Sequence, residues 1–358
     1  MIIINSLFGY FILLSVLCLG NGCATLPNVS EMIDVAPTAH EPRQIVSSKG
    51  LFITRRFIFH ACIIFVALAT VLSLCCSAQA AEPLSSDARV LLAKYPAIKT
   101  KLEKNQFGIP LYLESREEYS SLHVDVYGIF DYPFDGVRDA LQAPNNWCDI
   151  NSLLINIKAC TFRKVSDQWL LTLYSGRKYY QPPKDAYKLD FSFRITTLQQ
   201  EYLDIALTAK KGPLLTRDHR IRCEAAPLDK GRTFIHFSYD YSYGVLARAA
   251  IKTYYATIGR DKRGFSIIAT GKNGDPVYVG GVRGSLERNA VRYYLAIQTY
   301  MDTLKIPQNQ RFEKRNSRWY DLTARFPRQL YELDKGEYLA NKRREHDNQL
   351  MLQIEASK

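Results

Sequence analysis

Residues 285–304 read SLERNAVRYYLAIQTYMDTL, and residues 232–243 read RTFIHFSYDYSY. The first stretch sets Leu286, Ala290, Tyr294, Ile297, Met301 and Leu304 at spacings of three and four, one apolar stripe on a long helix. In the second, Ile235, Phe237, Tyr239, Tyr241 and Tyr243 share one face of a strand, and His236 and Asp240 take the other. An antiparallel sheet leaves an apolar face that something must cover. The 285–304 helix has the stripe wide enough to do so.

Working outward, the pattern is strand, short helix, several strands and then the long helix. Residues 121–130 alternate Leu122, Val124 and Val126 with His123, Asp125 and Tyr127, and Pro133 ends the strand. Phe134, Val137 and Leu141 give a short helix over 134–143. Strands are predicted at 154–163, 168–175, 187–197, 201–210 and 217–226, joined through Ser175-Gly176-Arg177, Lys211-Gly212-Pro213 and Asp229-Lys230-Gly231. A helix over 85–104, capped by Ser85 or Ser86, is expected to break near Pro96. Further on, 245–258 reads as a helix, 264–280 as a hairpin turning at 271–275, and 318–345 as helical within a charged C-terminal segment. The predicted class is α+β, a curved antiparallel sheet wrapped on a long C-terminal helix, with extra N- and C-terminal helices. Four stretches follow: a leader over 1–80, a helical segment over 81–117, the sheet-and-helix domain over 118–305 and a charged helical tail over 306–358.

On these residues the chain resembles the START/Bet v1-like superfamily, also called SRPBCC or polyketide cyclase-like, whose fold is the helix-grip. The resemblance is carried by the first strand running into Asp131-Tyr132-Pro133-Phe134, by Ala140-Leu141 and Trp147-Cys148, by strand 232–243 and by helix 285–304. It spans about 118–305. It implies a cavity between sheet and helix that holds a lipid or another apolar ligand. On that reading Tyr187, Phe191, Phe193, Leu203, Ile205, Phe237, Tyr239, Tyr241, Tyr294 and Ile297 line the cavity, with tyrosine hydroxyls orienting the ligand. Ordinary core packing is the other account of the same side chains. The hairpin at 264–280 and the tail after 306 depart from the plain pattern.

Two apolar runs precede the domain, at 7–20 and 57–74. The second follows Lys49, Arg55 and Arg56 and ends in Ser77-Ala78-Gln79-Ala80-Ala81, the layout of a secretory signal peptide cleaved between Ala80 and Ala81. A start codon placed too far upstream explains its internal position. A retained anchor at 57–74 and a lipoprotein at Cys23 are the alternatives. Positive charge between the two runs puts the remainder outside the cytoplasm in each case. The expected compartment is the periplasm.

The net charge is +12. Export and the dispersed basic residues argue against nucleic acid and favour anionic lipid surfaces as partners. Two loops mix cations with aromatic or apolar tips, Arg177-Lys178-Tyr179-Tyr180 and Lys210-Lys211 with Leu214-Leu215, and are candidates for membrane contact. Solvated hairpin loops are the plainer reading.

Cys148 and Cys160, twelve positions apart, are expected to form a disulfide, leaving Cys223 unpaired. The sequence holds no GxSxG, HExxH, CxxC, P-loop or GxGxxG motif. Asp125, Asp190, Asp204, Asp240 and Glu287 lie within regular elements, without a spacing that implies acid–base work, and Glu287 is expected in an exposed or half-buried ion pair with Arg283 or Arg288. His123 and His236 are expected to face solvent or a covering segment. His219 and Cys223 stand too far apart along one strand to share a metal. No cofactor, metal or catalytic residue is nominated. The leading expectation is an exported binding protein for a lipid or apolar ligand. A cyclase- or hydrolase-like enzyme and a structural envelope protein are the alternatives.

Overall fold

In the computed structural model the described residues are 86–245, 247–249, 253 and 261–357. The expected leader, its cleavage site at Ala80 and Ala81 and most of the expected helix over 245–258 lie outside them. Among the described residues no helix is long and apolar enough to cross a membrane.

Eight strands form one antiparallel sheet: β1 (Leu111–Glu117), β2 (Ser121–Phe130), β3 (Ile157–Val165), β4 (Gln168–Ser175), β5 (Tyr187–Gln199), β6 (Tyr202–Lys211), β7 (Thr216–Pro227) and β8 (Thr233–Tyr243). Their spatial order is β1-β2-β8-β7-β6-β5-β4-β3. A small hairpin pairs β9 (Ile267–Thr270) with β10 (Pro276–Tyr278), as expected for 264–280. The α-helices described over their full length are α1 (Ser86–Glu103), α2 (Phe134–Leu141), α3 (Pro144–Ser152), α4 (Gly281–Asp302), α5 (Gln308–Ala324), α6 (Pro327–Leu330) and α7 (Lys335–Ala356). The architecture is the α+β helix-grip, with α4 as the gripping helix. β1 and α3 were not foreseen. Pro96 does not break α1, which continues to Glu103 with Pro96 on its exposed side. The helical stretch expected at 318–345 is three helices, interrupted at Pro327 and recapped by Asp334, which accepts from the Glu337 amide.

The stripe of α4 faces the concave side of the sheet. Tyr293 stacks on Phe237 with ring centroids 5.4 Å apart, and Tyr294 meets Phe130 at 5.2 Å. Gly128 in β2 makes this possible: a Cβ there would lie 2.0 Å from the Tyr294 hydroxyl oxygen. Tyr293 donates to Asn151 of α3 at 2.7 Å, which gives the buried phenol its partner. The convex side is partly covered by α1, where Leu91, Ile98 and Leu102 pack on Tyr127, Tyr202 and Phe234.

At the other edge, α7 lies along β3. Gln349 accepts from the Cys160 amide at 3.0 Å, and Gln353 both accepts from and donates to the Phe162 backbone. An open sheet edge is a template for aggregation, and these side chains occupy it. Beneath them Lys158 and Lys342 share buried Glu345, at 2.5 and 2.7 Å. The disulfide expected from the sequence ties α3 to β3 through Cys148 and Cys160, with Cα atoms 5.1 Å apart, and Cys223 is a buried free thiol.

Two outcomes follow from this packing. A Gly128→Val chain should lose about 1–3 kcal/mol in urea denaturation, because the ring of Tyr294 has nowhere to retreat. An unchanged midpoint would contradict the close approach. Replacing Cys148 and Cys160 by serine should cost about 2–4 kcal/mol. Peptide mapping after alkylation without reductant should find Cys148 and Cys160 linked, and finding both alkylated would contradict the bond.

Candidate functional site

The ladder between β4 and β5 runs from Trp169↔Phe193 to Ser175↔Tyr187. That between β5 and β6 starts only at Ser192↔Thr208. The first half of β5 therefore stays with β4 while the last residues of β6 stay with β7, and the sheet forks. The fork opens a cleft of about 710 Å³ lined by Leu170, Tyr187, Lys188, Leu189, Asp190, Ser192, Thr208, Ala209, Lys210, Lys211, Asp218, His219 and Arg220. A volume of that order suits one small molecule or chain. The buried lining residues are Leu189, Ala209 and His219. The rim carries Lys188, Lys210, Lys211 and Arg220 against Asp190 and Asp218, a surplus of positive charge.

A bulge brings His219 into the cleft. The β7–β8 register shifts between Arg217 and Arg220, so Thr216 and His219 both point inward although they are three positions apart. His219 Nδ1 lies 2.8 Å from the Tyr239 hydroxyl and Nε2 lies 3.0 Å from Thr216 Oγ1. Burial lowers its pKa to about 4, so the imidazole is neutral at ordinary pH. The turn preceding it lies against the ring. A Cβ on Gly212 would meet His219 Nε2 at 2.0 Å, and Tyr187 donates to the Gly212 carbonyl at 3.2 Å. Leu214, Leu215 and Asp218 hold left-handed φ of 57°, 61° and 54°. Such conformations cost about 1–3 kcal/mol each and gather at functional sites. Leu215 stands 71% exposed at this turn.

Of the ten residues nominated for ligand contact, only Tyr187 lines the cleft. Phe191, Phe193, Leu203, Ile205, Phe237, Tyr239, Tyr241, Tyr294 and Ile297 are at most 3% exposed and sit in one continuous core. The nominated loops divide as well. Lys178 is paired with Glu332, Tyr180 lies under the Arg344 guanidinium at 3.5 Å and accepts from Asn348, and Arg177 donates to Tyr179. Half of that loop is thus turned back on the protein. Lys210, Lys211 and Leu215 do face outward beside the cleft, with Leu214 half-buried. Glu287 corrects the expectation of an exposed or half-buried pair. It is fully buried and accepts from Ser115 and from the Phe265 and Ser266 amides at 2.6 and 2.8 Å, with Arg283 at 3.7 Å.

A second constellation joins His123, His236, Asp125 and Asp240, which the sequence places on polar strand faces without pairing them. On the convex face, Asp240, His123, Asp125, His236 and Glu224 form an alternating chain across β8, β2 and β7. His123 Nδ1 contacts Asp240 and its Nε2 lies 2.6 Å from Asp125. His236 Nε2 lies 2.8 Å from Asp125 and Nδ1 2.6 Å from Glu224. Tyr202 donates to Glu224, and Arg222 pairs with Glu224 and Asp204. Burial opposes charge on His123, but the two carboxylates outweigh it and raise its pKa to about 9; His236 is raised by Asp125 and Glu224 in the same way. The same contacts hold Asp125 and Glu224 below the usual carboxylate range despite burial. The sequence signal was there, as polar residues at alternate strand positions under a helix, but the pairing needs the strand order. Among the described residues no group of histidine, cysteine and acidic side chains is placed to hold a metal.

No protein-family model matches the chain, and no curated protein matches it. Several solved structures are similar. Norcoclaurine synthase from Thalictrum flavum, in complex with dopamine and hydroxybenzaldehyde, is 9% identical, covers 37% of this chain and 76% of its own, and has a TM-score of 0.29. Human StAR-related lipid transfer protein 5 is 11% identical, with 61% and 98% covered and a TM-score of 0.31. The Zhui aromatase/cyclase from Streptomyces sp. R1128 is 11% identical, with 39% and 86% covered and a TM-score of 0.28. The fold class rests on the strand order and helix contacts above, and at these scores the matches carry no weight for function.

The convex-face chain has a pH signature. A histidine raised from 6.5 to about 9 by folding adds stability that is full below 6.5 and lost as the pH rises through about 9. The depressed carboxylates act in the opposite sense and lose their contribution in acid. Between pH 6.5 and about 9 the parent should therefore lose on the order of 2 kcal/mol in urea unfolding relative to a His123→Asn chain, the buried Lys178 and Lys342 acting in the opposite sense in both. The same pH dependence in the two chains would contradict the charged chain.

Proposed function

We propose that this is an exported, periplasmic binding protein for an apolar ligand with an anionic end, held in the cleft between β5 and β6 without catalysis. The observation that carries the reading is the fork itself, with apolar depth at Leu189 and Ala209, a neutral His219 and a rim of Lys188, Lys210, Lys211 and Arg220. An acyl chain or ring system suits the depth, and a carboxylate or phosphate suits the rim. The imidazole nitrogens of His219 are both engaged, by Tyr239 and Thr216, which favours a wall over a base.

The turn at Leu214 and Leu215, with Lys210 and Lys211 beside it, is the proposed contact with an anionic membrane. An exposed leucine can enter the interface while the ammonium groups meet head groups. Ligand then passes between bilayer and cleft over a short path. Export follows the expected signal sequence, with cleavage between Ala80 and Ala81.

Native mass spectrometry of protein purified from the envelope, followed by solvent extraction, tests the site. A Thr208→Trp substitution fills the exposed rim without entering the core. The parent should carry extractable lipid, and the variant should lose most of it at an unchanged unfolding midpoint. Equal retention by both chains would sink the cleft as the binding site.

A further inference from the structure

A separate cluster of charge lies along the middle of the gripping helix, around Arg288 and Arg292. Glu332, just before α7, is buried and takes three cations. Lys178 from the β4–β5 connection and Lys262 meet its Oε2, Lys262 at 2.8 Å, and Arg292 of α4 meets Oε1 at 3.0 Å. One helical turn before Arg292 on the same face is Arg288. It is 4% exposed. Its Nη1 donates to the carbonyl of Arg263, the residue after Lys262, at 3.2 Å, while its Nε meets no acceptor. Among the described residues Arg288 has no ion pair. The acids nearby are Glu332, Asp261, which is next to Lys262 in sequence, and Glu287, which precedes Arg288 and is bound by the Phe265 and Ser266 amides; the cations are Lys178, Lys262, Arg263, Arg288 and Arg292.

A buried guanidinium without an ion pair is costly, and the three cations drawn to the Glu332 carboxylate beside it leave positive charge in excess there. Burial and the neighbouring Lys262 pull Lys178 down to about 7 even with Glu332 in contact. Four chain segments have nonetheless been brought together to build this arrangement, with Lys178 and Lys262 left partly open to solvent.

We propose that Arg288, Arg292, Lys262 and Lys178 form a binding site for a phosphate-type oxyanion, with Glu332 holding the cations in place. The guanidinium planes suit tetrahedral oxygens, and the two ammonium groups at the opening admit and retain the charge. The site does not involve the β5–β6 cleft and stands whether or not the cleft binds a ligand. The oxyanion comes either from free phosphate or from a phospholipid head group.

Inorganic phosphate titrated into the purified protein at constant ionic strength should raise the unfolding temperature saturably. Sodium chloride at the same ionic strength should not. Lys262→Met and Lys178→Met, both at the opening, should each weaken the effect about tenfold, the loss of one charge-assisted hydrogen bond. The cleft-filling Thr208→Trp chain should keep it. Vesicles containing phosphatidic acid identify the source. Competition with phosphate, or binding that is lost in Lys262→Met where free phosphate fails, assigns a head group; absence of competition assigns the free ion. A phosphate response no larger than that of chloride, together with vesicle binding indifferent to Lys262→Met, overturns the site. So does a saturable response that both substitutions leave unchanged.

Discussion

Tyr294 lies so close to Gly128 that a single methyl group on that glycine would sit 2.0 Å from the phenol oxygen. That contact sets how near the gripping helix comes to the sheet. Once α4 is seated, Tyr293 stacks on Phe237, and Phe191, Ile205 and Tyr239 are closed into the same core. A sheet curved around a helix can either keep a cavity on its concave side or fill it with rings. The aromatic faces of β5 and β8 and the two tyrosines of α4 fill much of this one. On the proposed reading the ligand's space lies in the sheet, where β5 and β6 diverge.

The divergence has supports of its own. The bulge in β7 turns His219 inward, Tyr239 and Thr216 hold both of its nitrogens, and Gly212 passes against the ring. The neighbouring turn keeps Leu214 and Leu215 in left-handed conformations that bulky residues avoid. Evolved backbones retain such strain where the surroundings over-determine it. Here the surroundings are the Tyr187 and Thr216 hydrogen bonds to Gly212 and Pro213. The outward position of Leu215 depends on that same strained turn, so the cleft and its proposed membrane contact form one local unit.

Much of the fold was legible in the sequence because its signals are local. The stripe of 285–304 and the alternation in 121–130 and 232–243 each fix an element and its buried face, and the twelve-residue spacing of Cys148 and Cys160 fits the bond that forms. β1 was missed because its sequence, LYLESRE, offers only Leu111 and Leu113 as inward apolar residues. α3 was missed because its apolar positions are few and Pro144 reads as a turn until it is seen at the first helical position. The site was far less legible. The fork is a matter of register between two strands, and register is invisible in either strand alone. The chain from Asp240 to Glu224 joins residues more than a hundred positions apart. Pro96 misled for a different reason, since a proline on the exposed side of a helix can be tolerated when the other side is anchored by Leu91, Ile98 and Leu102.

The central claim is that ligand enters the forked sheet and not the space beneath the gripping helix. A fatty acid carrying a photoreactive diazirine at mid-chain, equilibrated with the protein, irradiated and mapped by peptide mass spectrometry, tests this directly. The account predicts adducts within 187–192, 208–211 and 218–220. Adducts concentrated on Tyr294, Ile297 and the facing side chains of β8 would contradict it and return the ligand to the concave side.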